Sequence, residues 1–385
     1  MVTRTNAPRH VLLPHHPDNY PVVQTRAVAL VPAYNEEEII ERTIHSLMDQ
    51  SHPFMYVLVI ANNCTDNTVP IVKQLQTVYG ENALRLLVME HNTGLKAGAL
   101  NAGFRQISGD NPDFVFSMDA DTIIDREMLA EGIKKFAREP QTGGICSAYR
   151  TVPLSFRPNA TAWERFLWRQ QNIEFSLANA WRIENYRSAR VLPGVSTLYR
   201  MTALMQVSAL PEHDAEPWVV NNRVEDYILT LELKDLGWDA RSYHDMISWS
   251  DVPWSLRVLT KQRERWYSGT IDVVRERLVR KHSRYEVFTV ILLMMNLFMR
   301  GLLLAGYTAL LMSGIPIQWV SPFLVLPVIA ALTQTHRLKK YGDQLDKWQY
   351  FFTATLVVVE LYATYREILY ARAVWLSYFR PDRGW

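Results

Sequence analysis

The stretch AVALVPAY, residues 27–34, is a short apolar run that ends in a proline-containing loop. A run of this length favours a buried β-strand. Similar apolar runs follow, separated by residues with helical spacing: MYVLVIA at 55–61, LRLLVME at 84–90 and DFVFSMDAD at 113–121. This alternation of strands and helices predicts a mostly parallel, right-handed α/β sheet.

Polar side chains gather where these predicted strands end, and sheets of this kind bind ligands outside the carboxyl ends of their strands. The residues that fall there are Tyr34, Asn35, Asn62, Asn63, Asp119 and Asp121. Asn35 and Glu38 also form a variant of the capping-box pattern, which predicts that Asn35 caps the first helix.

The composition argues against several classes of protein. A net charge of +2 over 385 residues does not suggest a nucleic-acid-binding protein. The two cysteines, Cys64 and Cys146, have no metal-binding spacing, so a structural zinc or a disulfide framework is not expected and a reducing compartment fits. Residues 1–25 lack a sustained apolar core and are predicted to form an irregular arm, not a signal peptide.

The C-terminal third contains three apolar runs, approximately at 288–312, 316–333 and 348–366. A spanning helix needs about 20 apolar residues. The first run meets that length, the second is marginal, and the third contains Glu360 and could span the bilayer or lie in its interface. A basic segment at 261–284 precedes them, either as a solvated face or beside anionic headgroups. We therefore expect residues 276–385 to form amphipathic and transmembrane helices, with the catalytic domain on the cytoplasmic side.

Two pairs of acidic residues could carry chemistry. Asp119 and Asp121 stand two residues apart at a strand end, so both carboxylates can reach one hard cation, Mg²⁺ or Mn²⁺. Such a pair also occurs often by chance. Glu225 and Asp226 begin an amphipathic helix, where the helix dipole alone could explain them. Alternatively, one of them acts as a general base.

Three isolated positions also allow either a functional or a purely structural interpretation. Lys96 near a predicted helix start could hold phosphate or be an ordinary surface lysine. Gly194 and Ser196 in LPGVSTLYR could form a simple turn, or could let an acceptor approach the backbone closely.

The stretch KQRERW at 261–266 lies between the α/β part and the apolar third. If it is helical, Gln262, Arg265 and Trp266 share one face, because positions i, i+3 and i+4 are neighbours on a helix. Arg263 and Glu264 are then expected to point elsewhere.

Taken in order, the motifs VPAYNE, NNCTD, HNTGLKAGALN, DAD, VED and QRERW resemble those of family 2 inverting glycosyltransferases. The similarity is greatest to the membrane-bound polysaccharide-synthase branch, such as cellulose, chitin, hyaluronan and poly-N-acetylglucosamine synthases. The resemblance covers roughly residues 26–275 and implies a GT-A (Rossmann-like) nucleotide-sugar domain over that range.

The resemblance also implies roles for individual residues. Pro32, Tyr34, Glu36, Asn62, Lys96 and Asp119 would bind the nucleotide sugar, and Asp119 with Asp121 would hold the metal. Asp226, beside Glu225, would be the catalytic base. Gln262 and Arg265 would sit against the leaving diphosphate, Trp266 would form the acceptor floor, and Gly194 and Ser196 would border the acceptor.

Two departures from the family pattern limit what it implies. The loop after the second strand has Asn62 where an acidic residue is common, although its amide can still accept a hydrogen bond from a uracil N–H, so a uridine donor is expected. In addition, no apolar segment precedes the catalytic domain, so one protomer need not enclose a polymer channel, which an oligomer could supply.

The expected enzyme therefore transfers sugar from a nucleoside-diphosphate sugar to a glycan, lipid or protein acceptor. Polymerisation ranks slightly above single-sugar addition. A non-catalytic membrane scaffold and a sugar nucleotidyltransferase are the alternatives from other classes.

Overall fold

The computed structural model describes residues 25–220, 222–277, 281–313, 325–342 and 345–379. The predicted arm at 1–25 lies outside these residues, apart from Thr25, as does the second apolar run before residue 325.

Within the described residues, eight strands form one sheet. They are β1 (Ala27–Ala33), β2 (Tyr56–Asn62), β3 (Leu84–Met89), β4 (Phe114–Met118), β5 (Thr122–Ile124), β6 (Thr142–Thr151), β7 (Ser196–Arg200) and β8 (Asp239–Ser250). The first helices are α1 (Ile40–Met48), α2 (Thr68–Tyr79), α3 (Leu95–Ile107), α4 (Met128–Arg138), α5 (Ala162–Glu184) and α6 (Met201–Ser208). They are followed by α7 (Glu225–Asp235), α8 (Leu256–Glu276), α9 (Lys281–Met312), α10 (Val325–Tyr341), α11 (Lys347–Ala354) and α12 (Leu356–Phe379).

The strand order is β3-β2-β1-β4-β7-β6-β8-β5. The pairs among β3, β2, β1 and β4 are all parallel, as the sequence predicts. The other half of the sheet is mixed, because β7 runs antiparallel to both β4 and β6, and β5 runs antiparallel to β8. The pair β6 and β8 is parallel again, so the prediction of a mostly parallel sheet holds for the first four strands and for this pair, but not for β5 and β7.

The sheet is covered on both faces, which explains why β1 and β2 are apolar throughout. On β1, Ala29 and Val31 pack on the side of the α1 residue Ile44, while Val28 and Leu30 pack on the opposite side. Alternate residues of a strand point to opposite faces, so a strand buried on both faces needs an unbroken apolar run. The carboxyl ends of β1, β2 and β4 are thereby fixed at one edge.

The start of α1 differs from the sequence prediction. Asn35 does not cap the helix: its backbone is left-handed, with φ of 55°, and its side-chain oxygen accepts the N–H of Thr65. The helix begins only at Ile40. The amide of Asn35 instead ties the loop after β1 to the loop after β2, at the edge where the predicted site lies.

The C-terminal helices α9 and α12 pack together through polar residues that interrupt the apolar runs. Arg300 of α9 pairs with Glu360 and Glu367 of α12, and Asn296 donates to Glu367 at 3.0 Å. Of the helices in the described part of the chain, none combines the length and the apolar character needed to cross a bilayer. The predicted membrane spans therefore stay predictions.

Candidate active site

A lysine and two acidic residues meet at the carboxyl edge of the sheet. Lys96, the second residue of α3, forms an ion pair with Asp119, which follows β4. Its ammonium also lies 3.8 Å from the Glu225 carboxylate at the start of α7. Burial opposes the charge of Lys96, but the carboxylates of Asp119 and Glu225 outweigh it and raise the pKa of the lysine. Three segments that are distant in sequence thus converge on one cation.

Gly194 lies directly against this pair. A Cβ added there would be 2.2 Å from Lys96 Nζ and 3.5 Å from Asp119 Oδ1. The next residue, Val195, accepts the backbone N–H of Asp119 at 3.3 Å. A side chain at this position would therefore have to displace the Lys96 ammonium, which is paired with Asp119.

Asp226 is oriented by two backbone donors. Its Oδ2 accepts the N–H of Gly194 at 3.1 Å, and its Oδ1 accepts the N–H of Tyr227 at 2.8 Å. Burial raises the pKa of Asp226 although the nearby Lys96 opposes the shift. Burial also raises the pKa of its neighbour Glu225, to about 7, again against the effect of Lys96. A carboxylate with a fixed orientation and a raised pKa is suited to accept a proton.

A second acidic group surrounds Asp121. Burial, and then the charges of Asp119, Glu36 and Asp251, raise the pKa of Asp121 well above its usual range. Burial and the charges of Asp119 and Asp251 raise the pKa of Glu36 to about 7. The protein itself therefore leaves negative charge around Asp121 uncompensated.

The negative charge around Asp121 is suited to a divalent cation whose remaining ligands come from a bound substrate and water. Among the residues that the structure describes, no three or more His, Cys, Asp or Glu side chains are grouped so that they could hold a metal ion. A Mg²⁺ ion is typically bound by one or two carboxylates together with substrate phosphates and water. The two carboxylates of Asp119 and Asp121 match that number of protein ligands.

The loops after β1 and β2 place the other predicted nucleotide-binding residues. Pro32 is a buried residue of β1, whereas the Tyr34 side chain is exposed. Asn62 is largely buried, and its side-chain oxygen already accepts from the amide of Asn92 at 2.7 Å. Binding of a uracil N–H by Asn62 stays a prediction, and it would have to use the remaining lone pair of this oxygen.

The side chain of Ser196 is engaged within the sheet. It is fully buried in β7, and its hydroxyl lies 2.6 Å from that of Ser147 and 2.9 Å from that of Ser248. These three serines join β7, β6 and β8 inside the sheet. The Ser196 side chain therefore lies inside the sheet, and an approach of the acceptor to its backbone stays a prediction.

The QRERW stretch is helical, as expected, and lies in α8. Gly269 of the same helix packs so closely on the segment before α7 that a Cβ would be 2.9 Å from Val224. Arg223 in that segment also donates to Ser268 at 2.9 Å. These contacts bring α8 against the segment that carries Glu225 and Asp226.

Within α8, the structure reverses one expectation. Arg265 is exposed, whereas Arg263 is only 1 % exposed. Arg263 donates to the side-chain oxygen of Gln262 at 3.0 Å, and its guanidinium lies 4.4 Å from the ring centroid of Trp266. Arg263 therefore does not point away from the motif but contacts two of its members.

Sequence reasoning missed two residues that the structure brings to the site. Asp251 follows β8 as Asp119 follows β4, and its backbone N–H donates to the carbonyl of Asp121 at 3.3 Å. The position of Asp251 at the end of a strand is the feature of the sequence that could have identified it. Arg263 had no such signal, because its partners come from distant helices.

The fold and the strand-end site define a class of protein, the GT-A glycosyltransferases. The mannosyltransferase PcManGT from Pyrobaculum calidifontis, solved in complex with GDP-Man and Mn²⁺, superposes with a TM-score of 0.57 at 18% identity, covering 91% of this chain and 90% of that one. At this identity the likeness shows the fold.

The sequence model of the glycosyltransferase like family 2 matches residues 25–269, and the chain belongs to this family. The poly-beta-1,6-N-acetyl-D-glucosamine synthase of Staphylococcus epidermidis is 26% identical over 248 residues, which cover 64% of this chain and 54% of the relative. The synthase of the same name from Staphylococcus aureus strain COL is 27% identical with the same coverage. The chain spans about half the length of these relatives.

Proposed function

We propose that this glycosyltransferase moves a sugar from a nucleoside-diphosphate sugar, with uridine as the expected base, to a glycan acceptor with inversion at the anomeric carbon. The observation that carries the proposal is the position of Asp226. Its carboxylate is fixed by two N–H groups, and the Gly194 backbone that supplies one of them borders the Lys96–Asp119 pair. A base and a cationic group that could bind phosphate thus both lie against the Gly194 backbone.

In this proposal Asp226 takes the proton of the acceptor hydroxyl. The acceptor oxygen forms a bond to the anomeric carbon while the bond from that carbon to the diphosphate breaks on the opposite side. The raised pKa of Asp226 makes it a stronger base than an exposed aspartate. The carboxylate of Glu225, 3.8 Å from the Lys96 ammonium, would help to keep that group charged.

The donor would occupy the edge that carries Lys96, Asp119 and Asp121. Lys96 would contact the diphosphate, with Pro32, Tyr34, Glu36 and Asn62 around the nucleoside. Asp119 and Asp121 would hold Mg²⁺ or Mn²⁺, which when bound neutralises charge on the diphosphate. The uncompensated charge around Asp121 supports this assignment.

The acceptor and the leaving group would lie against α8. Arg265 is exposed and can turn toward a diphosphate, for which a planar guanidinium is well suited. Gln262 would support it, and Trp266 would offer a ring face to the acceptor sugar. The backbone of Gly194, whose N–H donates to the base, would border the acceptor.

A donor screen on the purified full chain tests the proposal. We expect nucleotide release from one nucleoside-diphosphate sugar in the presence of a divalent metal, and UDP-N-acetylglucosamine is tested first because two relatives are named for N-acetyl-D-glucosamine. The size of the product separates polymerisation from single-sugar addition to a glycan, lipid or protein. No release from any donor would leave the non-catalytic scaffold as the better description.

We further propose that the C-terminal helices attach the enzyme to a membrane, with the catalytic domain on the cytoplasmic side. Exposed apolar side chains on α9, including Phe288, Met295 and Phe298, support the proposal. Exposed apolar area of this extent is typical of surfaces that bind lipid or another protein. Flotation of the protein with anionic vesicles tests it, and protein that stays at the bottom of the gradient contradicts it.

A further inference from the structure

An ionic cluster around the buried Arg263 joins three helices next to the QRERW stretch, and its other members, Glu174, Tyr362 and Arg366, are half-buried. Glu174 of α5 accepts from Arg263 of α8 at 2.9 Å and from the hydroxyl of Tyr362 of α12 at 2.9 Å. Arg366, also of α12, lies 3.2 Å from the other oxygen of the same carboxylate. One carboxylate thus binds two guanidinium groups and one phenol, and none of these four residues belongs to the predicted site.

The cluster is in direct contact with the motif. The Arg263 guanidinium that binds Glu174 on one side donates to Gln262 and lies beside the ring of Trp266 on the other. A guanidinium is planar and offers five N–H donors in fixed directions. Because Glu174 binds the Arg263 guanidinium, the orientation of this group toward Gln262 and Trp266 is fixed as well.

The helix that completes the cluster lies outside the region that the family model matches, which ends at residue 269. This helix, α12, also contacts α8 at other points along its length. Tyr365 lies 2.8 Å from the hydroxyl of Thr260, and Arg372 pairs with Glu264 at 2.7 Å. The C-terminal part of the chain is thus built into the support of the motif helix.

We infer that Glu174, Arg263, Tyr362 and Arg366 are positioning residues that hold Gln262 and Trp266 in place for the acceptor and the leaving diphosphate. The inference rests on the proposed function and adds α12 to the residues on which transfer depends. Removing the Glu174 carboxylate would leave the buried charge of Arg263 without this partner, which is costly, so the remaining side chains would rearrange. The rearrangement would displace Trp266, while Lys96, Asp119 and Asp121 would stay where they are.

The experiment compares Tyr362→Phe and Glu174→Gln with the wild-type full chain. For Tyr362→Phe, which removes one hydroxyl and no charge, we expect kcat/KM for the acceptor to fall at least five-fold. For Glu174→Gln we expect at least a 50-fold fall. The Kd for the nucleoside diphosphate should stay within two-fold in both. The control Arg337→Met removes a partly exposed ion pair between α10 and Glu184 of α5 that does not involve α8, and it should change neither value more than two-fold.

A double-mutant cycle with Trp266→Phe separates positioning from general loosening of the fold. If Tyr362 acts through Trp266, adding Tyr362→Phe to Trp266→Phe should cost less than two-fold further, because the indole being positioned is already gone. Multiplying losses would overturn the inference, as would wild-type kinetics of Tyr362→Phe. Tyr362→Phe decides the matter if Glu174→Gln does not fold. Wild-type protein that turns over no donor would instead refute the proposed function, and the inference with it.

Discussion

Replacing Asp226 with asparagine is expected to lower the rate of sugar transfer by about 100- to 10,000-fold, the range that a positioned general base contributes. Asparagine keeps the shape of the side chain, and its oxygen can still accept the N–H of Gly194 or of Tyr227. It cannot take a proton from an acceptor hydroxyl. The measurement is nucleotide release and product formation at saturating donor.

The binding of the donor should survive this change. We expect the Kd for the nucleoside diphosphate to stay within a few-fold, because Lys96 and Asp119 keep their ion pair. Asp235→Asn, at the exposed C-terminal end of the same helix, is the matched control and should leave turnover unchanged. Unchanged turnover in Asp226→Asn would end its assignment as the base.

Replacing Asp121 with asparagine is expected to reduce transfer by about 100-fold or more while raising the Tm of the metal-free protein. The loss follows from removing a proposed metal-binding carboxylate that stabilises charge on the leaving diphosphate. The gain in Tm follows because burial and the charges of Asp119, Glu36 and Asp251 disfavour the ionised form of Asp121. An amide in its place carries no charge to be repelled.

The sign of the pH dependence is a further test of this substitution. Since the pKa of Asp121 is raised in the folded state, the folded protein binds more protons than the unfolded chain between the usual pKa of an aspartate and the raised value. Wild-type stability without metal therefore falls as pH rises through that window. The substitution Asp121→Asn removes this effect, so its gain in Tm should be larger at pH 8 than at pH 4.

With Mg²⁺ or Mn²⁺ bound, the wild type should become more stable than Asp121→Asn, the reverse of the order expected without metal. A cation that binds only the folded state raises the Tm of the wild type, and Asp121→Asn should respond less. Asp49→Asn, at an exposed carboxylate beside Arg126, is the control and should alter neither Tm nor transfer appreciably. A wild-type Tm that is insensitive to Mg²⁺ and Mn²⁺, together with full activity in chelator, would contradict a metal at Asp119 and Asp121.

The first half of the sheet could be read from the sequence because its information is local. A strand buried on both faces is mostly apolar, and polar residues stand at or just after the ends of β1, β2 and β4, at the same edge. The second half could not be read in this way. The direction of β7 depends on its pairing with β4 and β6, and these strands are separated from it by long stretches of sequence.

The candidate site was predictable to the extent that its residues stand at strand and helix ends. Lys96, Asp119, Glu225 and Asp226 were singled out by position and motif, and the structure brings them together. Ser196 was singled out too, but a difference of two positions separates a glycine at the site from a serine inside the sheet.

The sequence by itself determined the family, the strand ends that carry the acidic residues, and the helical state of QRERW, because each depends on spacing along the chain. Only the tertiary structure decided that Arg263 contacts Gln262 and Trp266. That arrangement depends on Glu174, 89 residues away, and on α12 beyond the matched region. A buried guanidinium needs a carboxylate partner, and nothing in the spacing of a single helix indicates where that partner comes from.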